Sequence, residues 1–256
     1  AMQLQRRVFA TLKRMLSWVS NDPWLLHKLV SPVARLLSHL PGRWGDFWDQ
    51  ISIYMNKEAL ADEAVSQFNM RLAELDEASV CLDLGANVGH FTEKLANTGA
   101  QVHAFEPDPW AFEQLKTRMA GRSNVTLHNA AIGARAGTIE MRRPERYEDD
   151  PKAGSVGVTM LVNKNVANGS SFEVELACFT DFVMSLDQDI ALIKMDIEGA
   201  EVDLLEALVN SPARERIKNM FVETHYNIYP EQAVRIASLK KQYGALGAPY
   251  VNFNWP

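Results

Sequence analysis

From Ala78 onward the chain alternates short apolar runs with segments of helical period, and this alternation constrains the fold more than any other feature. The runs Val80–Leu84, Gln101–Phe105, Val125–Asn129, Ile190–Met195 and Met220–Glu223 are too short for helices and are bounded by glycine, proline or polar clusters, so they read as strands. Helical segments separate them, at about His90–Thr98, Trp110–Met119 and Val202–Asn210, and another follows at about Glu231–Gln242. Strand–helix–strand repetition dictates parallel pairing through right-handed crossovers. The expected architecture is α/β, a doubly wound and mostly parallel sheet. Two more strands, Thr138–Met141 and Phe172–Ala177, flank a polar segment, and Tyr250–Phe253 reads as a last strand.

On such a sheet ligands bind beyond the carboxyl ends of the strands, near the point where the strand order reverses. That places Gly85, Glu106, Asn129, Asp196 and the stretch Glu223–His225 along one edge. Gly85 and Gly89 stand where the first strand turns into a helix, a position that needs a bare backbone and offers free N–H groups to a ligand. Compared with the dinucleotide pattern G-x-G-x-x-G, Asn87 replaces the middle glycine and His90 the last. Glu106 ends the second strand, 21 residues after Gly85, where a carboxylate accepts both hydroxyls of a ribose and repels a 2′-phosphate.

The motifs LDLGANVGHF (82–91), HAFEPDP (103–109), NAAIG (129–133), LIKMDIEGAE (192–201) and FVETH (221–225) together resemble the FkbM family of S-adenosylmethionine-dependent methyltransferases. The resemblance covers roughly residues 78–225. It implies a Rossmann-like domain that transfers a methyl group from S-adenosylmethionine to a hydroxyl. In that frame Asp83, Gly85, Asn87 and Gly89 hold the methionine part of the cofactor, Glu106 the ribose, and Asn129 with Ala130 the adenine, while Asp196 sits beside the sulfonium and the acceptor. The family's sheet commonly closes with an antiparallel hairpin of two strands, whereas here only Tyr250–Phe253 is clear.

An alcohol acceptor must also lose a proton. His225 is the expected general base because imidazole titrates near neutrality. Asp196 and Glu198 complete the expected catalytic set, since alternation along an extended strand would turn Lys194, Asp196 and Glu198 to one side. A divalent metal on Asp196, Glu223 and His225 is the disfavoured variant, because no spacing here is diagnostic of metal. Glu201 reads as a helix-start acid favoured by the dipole.

Residues 1–77 form a separate helical extension, and residues 78–256 the Rossmann-like domain. In the extension, apolar stripes and breaks at Pro23 and Pro41-Gly42 predict one helix before Asn21, a second over Leu25–Leu40 and a third from about Lys57 to Leu75. Residues 1–43 carry a charge of +6 and the remainder −12, so the globule is not a general nucleic-acid binder. The arm has three readings: a cap or homo-oligomer interface, a peripheral membrane contact through residues 1–43, or plain core packing. No run is long enough to span a membrane. The two cysteines, Cys81 and Cys178, lie in strand-like runs and read as free thiols of a cytoplasmic protein, with the inner face of the membrane as the alternative setting.

The segment 142–171 is long and polar enough to be a lid over the acceptor. The expected acceptor is a sugar or glycan hydroxyl, with a polyketide-like hydroxyl as the alternative. Two other classes compete: an NAD oxidoreductase on the same sheet, and a non-catalytic nucleoside-binding scaffold.

Overall fold

The computed structural model describes residues 43–161, 166–225 and 228–256. The first two helices expected in the N-terminal extension lie outside them. The third is present and longer than expected: α1 spans Arg43–Ala73. The described residues divide into two compact units, and the second runs from Phe68 to Trp255. Everything below concerns that second unit.

Its centre is β1 (Val80–Leu84), a strand buried along its whole length. Parallel strands lie on both sides of it, β2 (Gln101–Phe105) and β7 (Ile190–Met195). This double coverage explains why VCLDL reads as a continuous apolar run broken only by Asp83. Outward from β2 comes β3 (Val125–His128), and outward from β7 come β8 (Ile217–Glu223) and β9 (Tyr250–Trp255). All five pairings are parallel. The order β3-β2-β1-β7-β8-β9 is the doubly wound order, and it reverses between β1 and β7. The last described strand, β9, joins β8 in parallel.

Helices α2 (His90–Ala96), α3 (Pro109–Arg118), α5 (Phe179–Ser185), α6 (Glu201–Val209) and α7 (Ala233–Leu246) accompany the sheet. A one-turn helix, α4 (Pro151–Gly154), lies in the polar segment. Alternation along the central strands feeds two cores. Leu82, Leu84, Ile193, Met195 and Val222 pack with Leu204, Leu205 and Leu208 of α6. Cys81, Leu192 and Phe221 face the other way, with Leu95, Phe68 and Trp255. Phe68 anchors that side, its ring 5.2 Å from Phe221 and 4.6 Å from Trp255. Cys81 is fully buried there, which pushes its thiol up to about 12.

The strands expected around the polar segment form a second, smaller sheet. β5 (Gly137–Arg142) and β6 (Ser171–Cys178) pair antiparallel, and β4 (Ala131–Gly133) adds to β6 in parallel. This hairpin carries the excursion between Arg142 and Ser171 back over the strand ends of the main sheet. Arg143 fastens its base: the guanidinium lies 4.2 Å from the rings of both Tyr147 and Phe172 and donates to Asp108 Oδ2 at 3.1 Å. Tyr147 donates to the same carboxylate, which also caps α3 by accepting from Ala111 N–H. Arg142 pairs with Glu140 at 3.0 Å.

Candidate active site

At the switch point the ends of β1 and β7 almost touch. Asp196 N–H donates to Leu84 O at 2.9 Å, and Lys194 Nζ donates to Gly85 O at 2.8 Å. Gly85 has φ +78, and a Cβ there would stand 1.8 Å from the carbonyl oxygen of Asp196. Only glycine satisfies both the left-handed backbone and this approach. Gly89 serves packing instead, since a Cβ on it would meet Leu115 of α3 at 2.6 Å.

The glycine loop closes around Glu106. Asn87, left-handed at φ +48, donates its backbone N–H to Glu106 Oε2 at 2.7 Å, and Asp108 N–H donates to Oε1 at 2.8 Å. Burial drives the Glu106 carboxyl up to about 8 although both N–H groups oppose it. Asn129 braces the same strand end by donating from Nδ2 to Glu106 O at 2.9 Å.

A cavity of about 220 Å³ opens here. Its walls come from Gly85–Asn87, His90 and Phe91 after β1, and from Phe105–Pro107 after β2. Ala130–Ile132 form a third wall, and Lys194 with Asp196–Glu198 after β7 a fourth. The excursion covers it with Ser155, Val156, Val158 and Met160. Two bonds tie that cover to the two signature loops: Asn87 Nδ2 to Ser155 Oγ at 3.2 Å, and Thr159 Oγ1 to Glu198 O at 2.6 Å.

Of the residues expected to hold a cofactor, Gly85, Asn87, Glu106, Ala130 and Asp196 line the cavity, whereas Asp83, Gly89 and Asn129 do not. Asp83 is wholly buried; it accepts from Thr92 Oγ1 at 2.6 Å and lies 3.8 Å from Lys194 Nζ. Burial raises its pKa, while Lys194 opposes the rise.

Beyond the β7 end lies a ring of acids around His225. Glu198 does not continue the strand as alternation predicts. The chain takes left-handed φ values of +53 at Glu198 and +105 at Gly199 and folds back into α6. Such a backbone at a non-glycine residue is costly and persists where surrounding contacts fix it. The turn carries Glu198 Oε2 to 3.4 Å from His225 Nε2, while Asp196 Oδ1 lies at 3.7 Å and Glu223 Oε1 at 3.9 Å. His225 is only 8% exposed and reaches the cavity through Asp196 and Glu198.

Glu201 completes the ring: it stands at the helix start as expected, but the sequence did not reveal that it is buried beneath His225. Its side chain is 1% exposed, and Oε1 receives both Ile197 N–H and His225 Nδ1 at 3.0 Å, while Oε2 receives Gly199 N–H. The i, i+4 spacing from Ile197 in IEGAE was the available signal. Burial pulls the His225 pKa down, but the Glu201 hydrogen bond and the charges of Glu201, Glu198 and Asp196 outweigh it and lift it to about 9. Burial lifts Glu198 to about 8 and Glu223 to about 7. The imidazole is therefore a cation at neutral pH, and the sequence-based expectation of a ring titrating near 7 does not hold for this arrangement.

Residues 83–246 match the model of the methyltransferase FkbM domain. Similar curated proteins include the hexuronic acid methyltransferase AglP of Haloferax volcanii, 26% identical over 171 residues, which are 66% of this chain and 66% of that one. The 2-O-methyltransferase NoeI of Sinorhizobium fredii is 28% identical over 159 residues, 58% of this chain and 63% of its own. The 31-O-demethyl-FK506 methyltransferase FkbM of Streptomyces tacrolimicus is 28% identical over 176 residues, 59% of this chain and 67% of its own. The matches thus span just under two thirds of the first two relatives. With the family model covering well over half of the sequence, the chain belongs to the FkbM family of methyltransferases.

Proposed function

We propose that the protein is an S-adenosylmethionine-dependent O-methyltransferase acting on a hydroxyl of a sugar or glycan. One observation carries the reading: the cavity at the switch point has a ribose-type carboxylate, Glu106, on one side and an acid cluster, Asp196 and Glu198, on the other. The cofactor's chemistry fits this lining. Glu106 keeps lone pairs for ribose hydroxyls beyond the two N–H bonds that orient it. Phe105, Ala130 and Ile132 offer an apolar wall for a flat base. The bare backbone at Gly85 gives close approach at the β1 end.

When bound, the sulfonium supplies a methyl group already activated for in-line displacement, so alignment is the protein's main task. Lys194 and Gly85 fix the floor between the β1 and β7 ends. Asp196 and Glu198 touch the cavity and are placed to receive the acceptor hydroxyl. Its proton passes to a carboxylate beside His225, where Glu223, raised to about 7, is a stronger base than an ordinary glutamate. The cationic His225 holds these acids together. The excursion contributes Ser155, Val156, Val158 and Met160 to the cavity's cover.

Support for a sugar comes from the name of one relative, a hexuronic acid methyltransferase, and support for a hydroxyl from another, a 2-O-methyltransferase. A polyketide-like hydroxyl is the second reading, favoured by Val156, Val158 and Met160 in the cover and by the FK506-modifying relative.

Calorimetric titration with S-adenosylmethionine and S-adenosylhomocysteine tests the cofactor, with NAD as the control because the strand order is also that of dinucleotide-binding sheets. Selective binding of the sulfur nucleosides is expected. Binding of NAD alone, or of none of the three, overturns the reading.

A further inference from the structure

We infer that Asp196, Glu198 and His225 form a binding site for one divalent cation of the Mn²⁺ type. One ligand atom from each residue falls within 4.8 Å of the others. His225 Nε2 stands 3.4 Å from Glu198 Oε2 and 3.7 Å from Asp196 Oδ1. Ligand atoms bonded to one first-row ion at about 2.1 Å are separated by roughly 3 to 4 Å, and both distances from His225 Nε2 fall in that range.

The cluster is more than a group of acids. Asp196 Oδ1 is shut off from solvent and has no hydrogen-bond partner among the described residues, a costly state for a carboxylate oxygen that a cation would relieve. His225 is more than nine-tenths buried, and its Nε2 points at both carboxylates without making a hydrogen bond among the described residues. Its other nitrogen donates to Glu201, which is fixed in turn by the N–H groups of Ile197 and Gly199. This is the arrangement that metal-binding histidines use: a carboxylate behind the ring sets the tautomer and aims the free nitrogen.

The electrostatics point the same way. Four carboxylates, Asp196, Glu198, Glu201 and Glu223, surround the imidazole. Lys194 is the one other cation in direct contact with them among the described residues, 3.4 Å from Asp196 Oδ2. Mixed oxygen and nitrogen donors suit Mn²⁺ better than the all-oxygen shells of Mg²⁺ or Ca²⁺. A bound ion would border the cavity through Asp196 and Glu198. Its role in catalysis rests on the methyltransferase reading: it would polarise the acceptor hydroxyl and leave Glu223, outside the ligand set, to take the proton.

The test uses metal-stripped full-length protein without nucleoside or acceptor, titrated with Mn²⁺ and followed by electron paramagnetic resonance. One Mn²⁺ per chain is expected, with a nitrogen coupling from His225 in the pulsed spectrum. Asp196→Asn and Glu198→Gln should each weaken uptake at least tenfold, and Glu201→Gln 10- to 100-fold. Absence of stoichiometric uptake, uptake with no nitrogen coupling, or equal affinity in Asp196→Asn and Glu198→Gln overturns the site. The nitrogen coupling is read on the unmodified chain, so a variant that fails to fold does not decide the matter. Titration of the same sample with S-adenosylhomocysteine keeps the two proposals apart, because either ligand can bind without the other.

Discussion

Glu201 Oε1 accepts the Nδ1 proton of His225 at 3.0 Å while the same oxygen receives the backbone N–H of Ile197. A carboxylate that is itself anchored to the backbone thus fixes the ring's direction and its charge. Replacing Glu201 by Gln keeps the shape and removes the charge. In metal-free protein the His225 pKa, now lifted to about 9, should then fall toward the ordinary 6.5. NMR titration of the imidazole measures this directly. An unchanged value would mean that Glu198 and Asp196 alone hold the proton.

Gly85 and Gly121 give a matched pair. Both have left-handed backbone, φ +78 and +79, but a Cβ at Gly121 meets nothing within 4 Å, whereas one at Gly85 meets the Asp196 carbonyl. Gly121→Ala should cost about 1 kcal/mol for the backbone alone. Gly85→Ala should cost well over that and abolish nucleoside binding, because the β1 and β7 ends must part. Denaturant unfolding of the two variants beside wild type checks the ranking, and equal losses would refute the close approach as the reason for glycine.

The sheet was legible because its central strands are buried on both faces and so appear as bare apolar runs between glycines. The three-residue β4, too short to show a period, and the seven-residue α5, whose FTDFVMS is as apolar as a strand, were not. At the site, the strand ends placed Gly85, Glu106 and Asp196 on the cavity wall, and the family resemblance added Asn87. Alternation failed where the chain departs from regular geometry. The left-handed turn at Glu198 redirects that side chain, and the same turn brings Glu201 under His225. Asp83, which the family resemblance put beside the cofactor, is buried by the alternation of β1 against Thr92 of α2.

Glu106→Gln should lower affinity for S-adenosylhomocysteine at least tenfold, since the amide nitrogen cannot accept one of the two backbone N–H bonds that orient the side chain toward a ribose. The same change should alter stability in the opposite sense. Burial raises the Glu106 carboxyl from 4.5 to about 8, so between those values the folded protein keeps a proton that the unfolded chain has released. Stability therefore falls as pH rises through this window, by up to about 1.4 kcal/mol per pH unit from this group. The glutamine variant lacks that slope and should gain on wild type from pH 5 to pH 8. Parallel stability curves would count against the buried, protonated carboxyl.

The opposite sign is expected from the pair His103 and His128 on β2 and β3. His103 Nδ1 lies 3.2 Å from His128 Nε2, so one nitrogen must donate and the other accept, and two charged rings cannot share the contact. The His128 ring also stacks on Phe105, with centroids 4.2 Å apart and planes 10° from parallel. Burial, and then the neighbouring His103, push His128 down to about 4, and burial lowers His103 as well. Between 6.5 and about 4 the unfolded chain thus binds protons that the folded protein refuses. Their contribution is intact above the unfolded value and is lost as pH falls through this range. His128→Phe keeps the stack on Phe105 and removes one titrating ring. Its stability should consequently decline less steeply than that of wild type between pH 6.5 and pH 4.5, measured by urea unfolding at each pH. A variant as acid-sensitive as wild type would show that the acid response comes from elsewhere in the fold.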